Sequence, residues 1–144
     1  VIRNRLLPFV KEKDIREFAQ ACLHAYEQLP KLENLVVLHT DLSPDNMAFD
    51  IEKKKLVGVF DFSDVAIGDV NLEFVHLLKF DLNFTKQIID SYTTKTGRQC
   101  DLNRIKLYKQ LNTLADFSFQ YQTPRHQKYL QIFRKWIDNP NSPL

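Results

Sequence analysis

Residues 39–46 of this chain read HTDLSPDN, and residues 60–62 read FDF. These two short segments say more about the chemistry of the chain than any other part of it. Asp41 supplies a carboxylate that can accept a proton, and Asn46 supplies a neutral amide oxygen five residues later. Asp61 adds a second carboxylate, fifteen residues beyond Asn46. Because such hard oxygen ligands are the ones Mg²⁺ prefers, the two segments together predict a proton acceptor beside a divalent cation.

The first segment matches the kinase catalytic-loop pattern H-x-D-L-x-x-x-N at every fixed position. Phosphoryl transfer depends mainly on positioning the reactants and on neutralising charge on the phosphate oxygens. We therefore expect Asp41 to be the catalytic residue, accepting the proton of a substrate hydroxyl. We expect Asn46 and Asp61 to bind Mg²⁺ and, through it, the phosphates of ATP. His39 is expected to pack and hydrogen-bond within the loop rather than to titrate.

The residues between the two segments have the pattern of a β-hairpin. Residues 46–51 alternate between apolar and polar side chains, residues 56–60 are rich in strand-forming types, and the charged residues 52–55 link them. A hairpin returns the chain to its starting end. We therefore expect Asn46 and Asp61 to lie close enough to share one metal ion.

Each segment alone has a simpler explanation. An Asp before Leu-Ser-Pro is often only a turn or helix-capping residue, and Asp61 between two phenylalanines could close a strand. The two segments occur in the right order, however, with a hairpin pattern between them. That combination favours a functional site over two unrelated turns.

Residues 36–74 resemble the aminoglycoside phosphotransferase and choline-kinase-like family. That family has the pattern L-x-H-x-D-L-x-x-x-N; residues 39–46 match its H-x-D-L-x-x-x-N part, and Leu38 directly precedes His39. It continues with G-x-I-D-F or G-x-I-D-W, close to the GVFDF of residues 58–62, and then a Gly-Asp pair, found here at residues 68–69.

The resemblance implies a fold, a reaction and roles for three residues. The fold would be the carboxy-terminal lobe of a protein-kinase-like fold, α+β and helix-dominated, with a small hairpin carrying the metal ligands. Asp41 would be the catalytic base, and Asn46 and Asp61 the magnesium ligands. The reaction would transfer the γ-phosphate of ATP to a hydroxyl of a small molecule, such as an aminoglycoside or another amino or sugar alcohol.

The chain departs from the family pattern at three places. Thr40 and Asp45 stand where the family usually has glycine or another small residue, and Glu73 stands where the later Pro-x-x-Asp motif has its aspartate. None of these changes removes a group that the reaction needs. A eukaryotic-type protein kinase fits less well, because Asp61-Phe62-Ser63 lacks the glycine of the D-F-G motif and no A-P-E sequence follows.

The parts of a kinase that cradle the nucleotide are not recognisable in this sequence. A kinase needs a strand lysine, a helical glutamate and a loop over the phosphates, yet the chain has three glycines and no glycine-rich loop. The 38 residues before His39 are helical in pattern, and the chain begins at Val1. We therefore expect residues 1–144 to be a single domain, the carboxy-terminal lobe of a longer protein whose amino-terminal nucleotide lobe is missing. Such a piece is expected to have little activity by itself.

Composition excludes several other classes of protein. Hydrophobic residues make up 44% and aromatic residues 12% of the chain, which is incompatible with disorder. The net charge of +2 is too small to predict a nucleic-acid partner, and no apolar run approaches the roughly 20 residues of a membrane span. Cys22 lies on an apolar helical face and is predicted to be a buried free thiol, which suits a cytoplasmic protein. The cysteines and histidines do not cluster at the spacing of a zinc site.

The rest of the sequence predicts a scaffold of helices. An apolar run at residues 35–38 is extended or strand-like. Periodicity predicts a first helix opened by a capping box at Asp14 and stopped by Pro30, and four more at 71–80, 84–96, 101–122 and 125–138, with a frayed tail after them.

Three functions remain open at this point. The first is an ATP-dependent small-molecule kinase, and the second is a pseudokinase-like binding module that keeps the loop without transfer. The third is an unrelated helical adaptor, in which Asn46 and Asp61 would be far apart. An acceptor rich in amines would favour an acidic lining, for which the candidates are Asp45, Asp64, Glu73 and Asp116. The sequence does not choose between an aminoglycoside, choline, another sugar and a homoserine-like alcohol.

Overall fold

The structure of the chain, a computed structural model, describes residues 1–30, 35–80 and 82–139. The chain divides into two compact units, one of Val1–Pro30 with Lys106–Leu144 and the other of Lys31–Ile105. The single domain expected for residues 1–144 stays a prediction.

The first unit is helical. A π-helical turn, Ile2–Leu6, precedes helix α1, Lys13–Glu27. The same unit contains most of helix α3, Leu102–Gln120, and all of helix α4, His126–Asp138. Their apolar faces form one core, in which the rings of Phe117 and Phe133 lie 5.3 Å apart. The buried members of the core are Ile2, Leu6, Val10, Ile15, Ala19, Cys22, Leu114, Phe117, Leu130, Phe133 and Trp136.

Two details of helix α1 bear on the sequence predictions. Cys22 is a buried free thiol, as expected, and burial raises its pKa to about 12, so the thiol is unreactive at neutral pH. The capping box predicted at Asp14 is wrong. The helix starts at Lys13 after Glu12, whose side chain makes no capping bond, and Asp14 instead accepts a hydrogen bond from Arg134 Nε at 3.3 Å.

The second unit contains two pairs of antiparallel strands. Strand β2, Met47–Asp50, pairs with strand β3, Lys55–Val59, in the hairpin that the alternation predicted, with a register shift between Ala48 and Phe49. Strand β1, Val36–Leu38, pairs with strand β4, Ala66–Gly68. The sequence did not predict β4. At Gly68 a Cβ would lie 3.0 Å from Leu38 Cδ1, so the backbone approaches this side chain closely.

The helix predicted at residues 71–80 is wrong. The structure has two 3-10 helices there, Val70–Leu72 and His76–Lys79. Backbone bonds of the i→i+3 type run through the segment, for example from Leu77 N to Phe74 O at 3.2 Å. Most of the apolar side chains along the segment are buried, which its tight turns allow, whereas Lys79 and Phe80 at its end are exposed. The buried ones are Val70, Phe74, Val75, Leu77 and Leu78.

The other helices agree with the predictions, apart from small shifts at their ends. Helix α2 runs over Leu82–Thr96 and ends before Gly97, whose φ of 72° is the left-handed conformation that glycine adopts most easily. Helices α3 and α4 correspond to the predicted 101–122 and 125–138. The predicted frayed tail, residues 139–143, lies outside the described residues except for Asn139. No helix in the described part of the chain is both long and apolar enough to cross a membrane. The architecture is α+β and helix-rich, with small antiparallel strands.

Candidate active site

Asp41 and Asn46 are in direct contact. Asn46 ends a 3-10 turn, Pro44–Asn46, and is only 8% exposed. Its Nδ2 donates hydrogen bonds to the Asp41 backbone oxygen at 2.9 Å and to Asp41 Oδ2 at 3.0 Å. Because the amide nitrogen is committed to Asp41, the amide oxygen, on the other side of the same group, is the atom that Asn46 can offer to a cation.

The hairpin brings the second acidic segment back to Asn46 through the backbone. Phe60 N donates to Asn46 O at 3.1 Å, one residue before Asp61. His39, 7% exposed, bonds through Nε2 to Phe60 O at 2.8 Å, and its ring lies 4.7 Å from that of Phe62. His39 is therefore the packing and hydrogen-bonding loop residue that the sequence predicted. The backbone of Asp61 lies beside that of Asn46.

The Asp61 carboxylate is exposed and held locally. Ser63 Oγ donates to Asp61 Oδ1 at 2.8 Å, which leaves Oδ2 for another partner. Asp61 has a φ of 62°, in the left-handed region. This conformation turns the chain after the hairpin, where Asp61 is exposed.

Thr40, next to Asp41, is also left-handed, with a φ of 70°. For a β-branched residue this conformation costs about 1–2 kcal/mol, and it persists because two bonds hold the residue. Thr40 N donates to Glu73 Oε2 at 3.2 Å, and Thr40 Oγ1 donates to the Asp64 backbone oxygen at 2.8 Å. Glu73 thus keeps a structural hydrogen-bonding role. A left-handed φ at this position also gives a physical reason for the family's preference for glycine there.

A buried polar network follows strand β4. Asp69, 3% exposed, accepts from Asn71 N at 3.0 Å and from Asn71 Nδ2 at 2.7 Å through Oδ1, and pairs through Oδ2 with Arg104 Nε at 2.7 Å. Asn71 Oδ1 in turn accepts from Asp101 N at 2.8 Å. Burial, together with the charge of Asp69, raises the pKa of Cys100 to about 11. The sequence singled out the Gly-Asp pair but carried no signal for Arg104.

A second residue that the sequence missed lies against Asp41. His76 Nε2 is 3.7 Å from Asp41 Oδ1, and the His76 side chain is 23% exposed. The sequence prediction placed residue 76 within an apolar scaffold helix. The only sequence signal for a role of His76 was that it is a single histidine among apolar residues.

The donor set suits Mg²⁺ better than a metal held wholly by protein. Among residues 1–30, 35–80 and 82–139, no three His, Cys, Asp or Glu side chains are grouped to hold a metal ion. Mg²⁺ is usually bound through one or two protein oxygens plus phosphates and water. The amide oxygen of Asn46 and the carboxylate of Asp61 fit that mode.

The candidate acidic residues for an acceptor site are in different situations. Asp45 and Asp64 are exposed in the second unit, whereas Glu73 is engaged by Thr40. Asp116 is exposed on helix α3 in the first unit.

Solved structures with a similar fold include aminoglycoside phosphotransferases and an amicoumacin kinase. The GDP complex of wild-type aminoglycoside 2′-phosphotransferase-IIIa matches with a TM-score of 0.78 and 17% identity, over 96% of this chain and 48% of that one. The GDP and kanamycin complex of the APH(2″)-IIIa enzyme matches with a TM-score of 0.71 and 20% identity, over 95% and 47%. Amicoumacin kinase in complex with AMP-PNP, Ca²⁺ and Ami matches with a TM-score of 0.58 and 15% identity, over 94% and 48%.

These matches give the chain the fold of the aminoglycoside phosphotransferases, of which it spans about half the length. The sequence model of the phosphotransferase enzyme family, APH, matches residues 3–108. The chain belongs to this family, and the resemblance predicted from its motifs is confirmed. No curated protein matches the chain by sequence.

Proposed function

We propose that this chain supplies the hydroxyl-activating and metal-binding part of an ATP-dependent phosphotransferase acting on a small molecule. The observation that carries the proposal is the contact of Asn46 Nδ2 with Asp41 Oδ2, made where the hairpin returns Phe60 N to Asn46 O. Phosphoryl transfer needs a group that positions the hydroxyl and ligands that hold a metal ion at the phosphates. Asp41 can provide the first, and Asn46 and Asp61 the second. Membership of the phosphotransferase enzyme family supports the same reaction.

Asp41 is assigned the role of catalytic base. Its side chain is 47% exposed, so an acceptor can reach it from solvent. A carboxylate hydrogen-bonded to an acceptor hydroxyl orients its oxygen for in-line attack. It takes the hydroxyl proton as the new bond to the γ-phosphorus forms and the bond from that phosphorus to the bridging oxygen breaks, so that ADP leaves. Such assistance is worth roughly 10²–10⁴-fold in rate.

Asn46 and Asp61 are assigned to hold Mg²⁺ with the nucleotide. A bound Mg²⁺ supplies positive charge at the β- and γ-phosphate oxygens. The chain contributes the placement of its ligands: the bond to Asp41 orients the Asn46 amide, and Ser63 holds Asp61. The matching structures that contain GDP, or AMP-PNP with Ca²⁺, are consistent with such use of a nucleotide and a divalent cation.

The acceptor is proposed to be a hydroxyl-bearing amino or sugar alcohol. Two of the matching structures contain kanamycin or Ami. The lysine-bearing nucleotide lobe that a kinase requires is proposed to come from outside residues 1–144.

A pseudokinase-like binding module is the second candidate. It is kept open by the sequence of residues 1–144, which contains no glycine-rich loop. In that case Asp41 and Asn46 would keep their contact without supporting transfer.

The test is phosphoryl transfer by the complete gene product. We expect that, with Mg²⁺ and either ATP or GTP, it converts at least one member of a panel of aminoglycosides, choline-like and sugar alcohols to a phosphomonoester. Phosphorus NMR identifies the product, and excess EDTA should abolish its formation. Failure of transfer to every acceptor, with or without binding of Mg²⁺–nucleotide, would favour the binding module instead, and absence of Mg²⁺–nucleotide binding would by itself refute the kinase.

A further inference from the structure

His76 occupies an unusual place in the second unit. It begins the His76–Lys79 turn, whose other residues include the buried Leu77 and Leu78. Helix α2 fixes this turn, because Thr85 Oγ1 donates to the Leu77 backbone oxygen at 3.0 Å. The backbone next to His76 is therefore anchored to helix α2.

The two oxygens of the Asp41 carboxylate face different partners. Asn46 Nδ2 bonds to Oδ2 at 3.0 Å, while His76 Nε2 lies 3.7 Å from Oδ1. The second distance is longer than a hydrogen bond but within the range of a close electrostatic contact. Asn46 reaches Asp41 from the catalytic loop, and His76 reaches it from the segment that follows strand β4.

We propose that His76 is a positioning residue for Asp41. With Asn46 on Oδ2 and His76 against Oδ1, rotation of the carboxylate is restricted from both sides, and its orientation toward an acceptor hydroxyl is set before substrate arrives. This inference rests on the proposed role of Asp41 as base. It adds a residue that the H-x-D-L-x-x-x-N pattern does not contain.

The proposal predicts a particular kinetic signature. Orientation of a base affects the transition state more than the binding of either substrate, so kcat falls while both KM values stay unchanged. We expect His76→Ala to lower kcat about tenfold, a part of the roughly 10²–10⁴-fold that a general base contributes. His76→Gln keeps an N–H donor and should recover most of that loss.

The experiment uses the complete gene product and five variants at positions 41 and 76, one of which is Asp41→Asn alone. His76→Ala, His76→Gln and His76→Leu are compared in the wild-type background, and His76→Ala is repeated in the Asp41→Asn background. Because His76 acts through Asp41, its removal should cost nothing further once the base is gone. His24→Ala, at an exposed site on helix α1, is the matched control and should retain wild-type kcat.

His76→Leu separates positioning from packing. Leucine restores apolar volume without a donor, so the proposal predicts that it stays as slow as His76→Ala. If circular dichroism shows that His76→Ala does not fold, the kcat values of His76→Gln and His76→Leu test the proposal, which predicts the higher kcat for His76→Gln.

Several results would overturn the inference: wild-type kcat in His76→Ala, recovery by Leu, a change confined to KM, or an equal loss in both backgrounds. Failure of the proposed function looks different. In that case Asp41→Asn itself keeps near-normal turnover.

Discussion

Replacing Asp41 with Asn is expected to lower kcat of the complete gene product by roughly 10²–10⁴-fold, the usual worth of a general base. The amide has nearly the shape of the carboxylate, and its oxygen can still accept from Asn46 Nδ2, which is 3.0 Å from Asp41 Oδ2 in the native chain. The loop should therefore keep its structure and lose its proton acceptor. Steady-state kinetics should show the loss in kcat, with the KM for nucleotide unchanged.

The control for this variant is Asp90→Asn, the same chemical change at an exposed position of helix α2. Its turnover should equal that of the wild type. Near-normal turnover in Asp41→Asn, with an unchanged circular dichroism spectrum, would contradict the role assigned to Asp41.

Replacing Asp69 with Ala is expected to cost about 3–5 kcal/mol of unfolding free energy, as breaking a buried ion pair does. Asp69 lies 2.7 Å from Arg104 Nε, and the two side chains are only 4% and 13% exposed. Its removal leaves a guanidinium with little access to water and takes away the acceptor of two Asn71 hydrogen bonds. Urea unfolding followed by circular dichroism measures the effect.

An exposed ion pair provides the comparison. Glu17 is 3.6 Å from Lys13 on helix α1, and their side chains are 63% and 86% exposed. Glu17→Ala should cost under about 0.5 kcal/mol, because solvent screens such pairs. If Asp69→Ala cost no more than Glu17→Ala, the network around Asp69 would not support the fold as described.

The parts of the fold that the sequence predicted are those with local signals. The β2–β3 hairpin follows from alternation on both sides of a charged turn, and helices α1 to α4 follow from apolar periodicity. The pairing of β1 with β4 joins segments far apart in sequence, and three residues such as Ala66–Gly68 are too few to show a strand pattern.

The missed parts of the candidate site depend on tertiary contacts. His76 and Arg104 act on Asp41 and Asp69 across long stretches of chain, and no spacing rule connects them. The segment at residues 71–80 is apolar enough for a helix, but burial of most of its apolar side chains and the bonds from Asn71 to Asp69 favour 3-10 turns. The sequence showed only that Thr40 replaces the family's usual glycine after the motif histidine. The φ of 70° in the structure shows why a threonine there costs conformational energy.

The central claim is that Asn46 and Asp61 hold one divalent cation with the nucleotide beside Asp41. Calorimetric titration of AMP-PNP into the complete gene product at varied Mg²⁺ concentration tests it most directly, with Asn46→Ala, Asp61→Asn and the double variant. Each single variant should raise the Mg²⁺ concentration needed for half-maximal binding at least tenfold, by analogy with the roughly 10–100-fold losses known for residues around metal sites. Because both residues serve one ion, the double variant should lose less than the product of the two single effects. Wild-type Mg²⁺ dependence in both single variants would contradict the account.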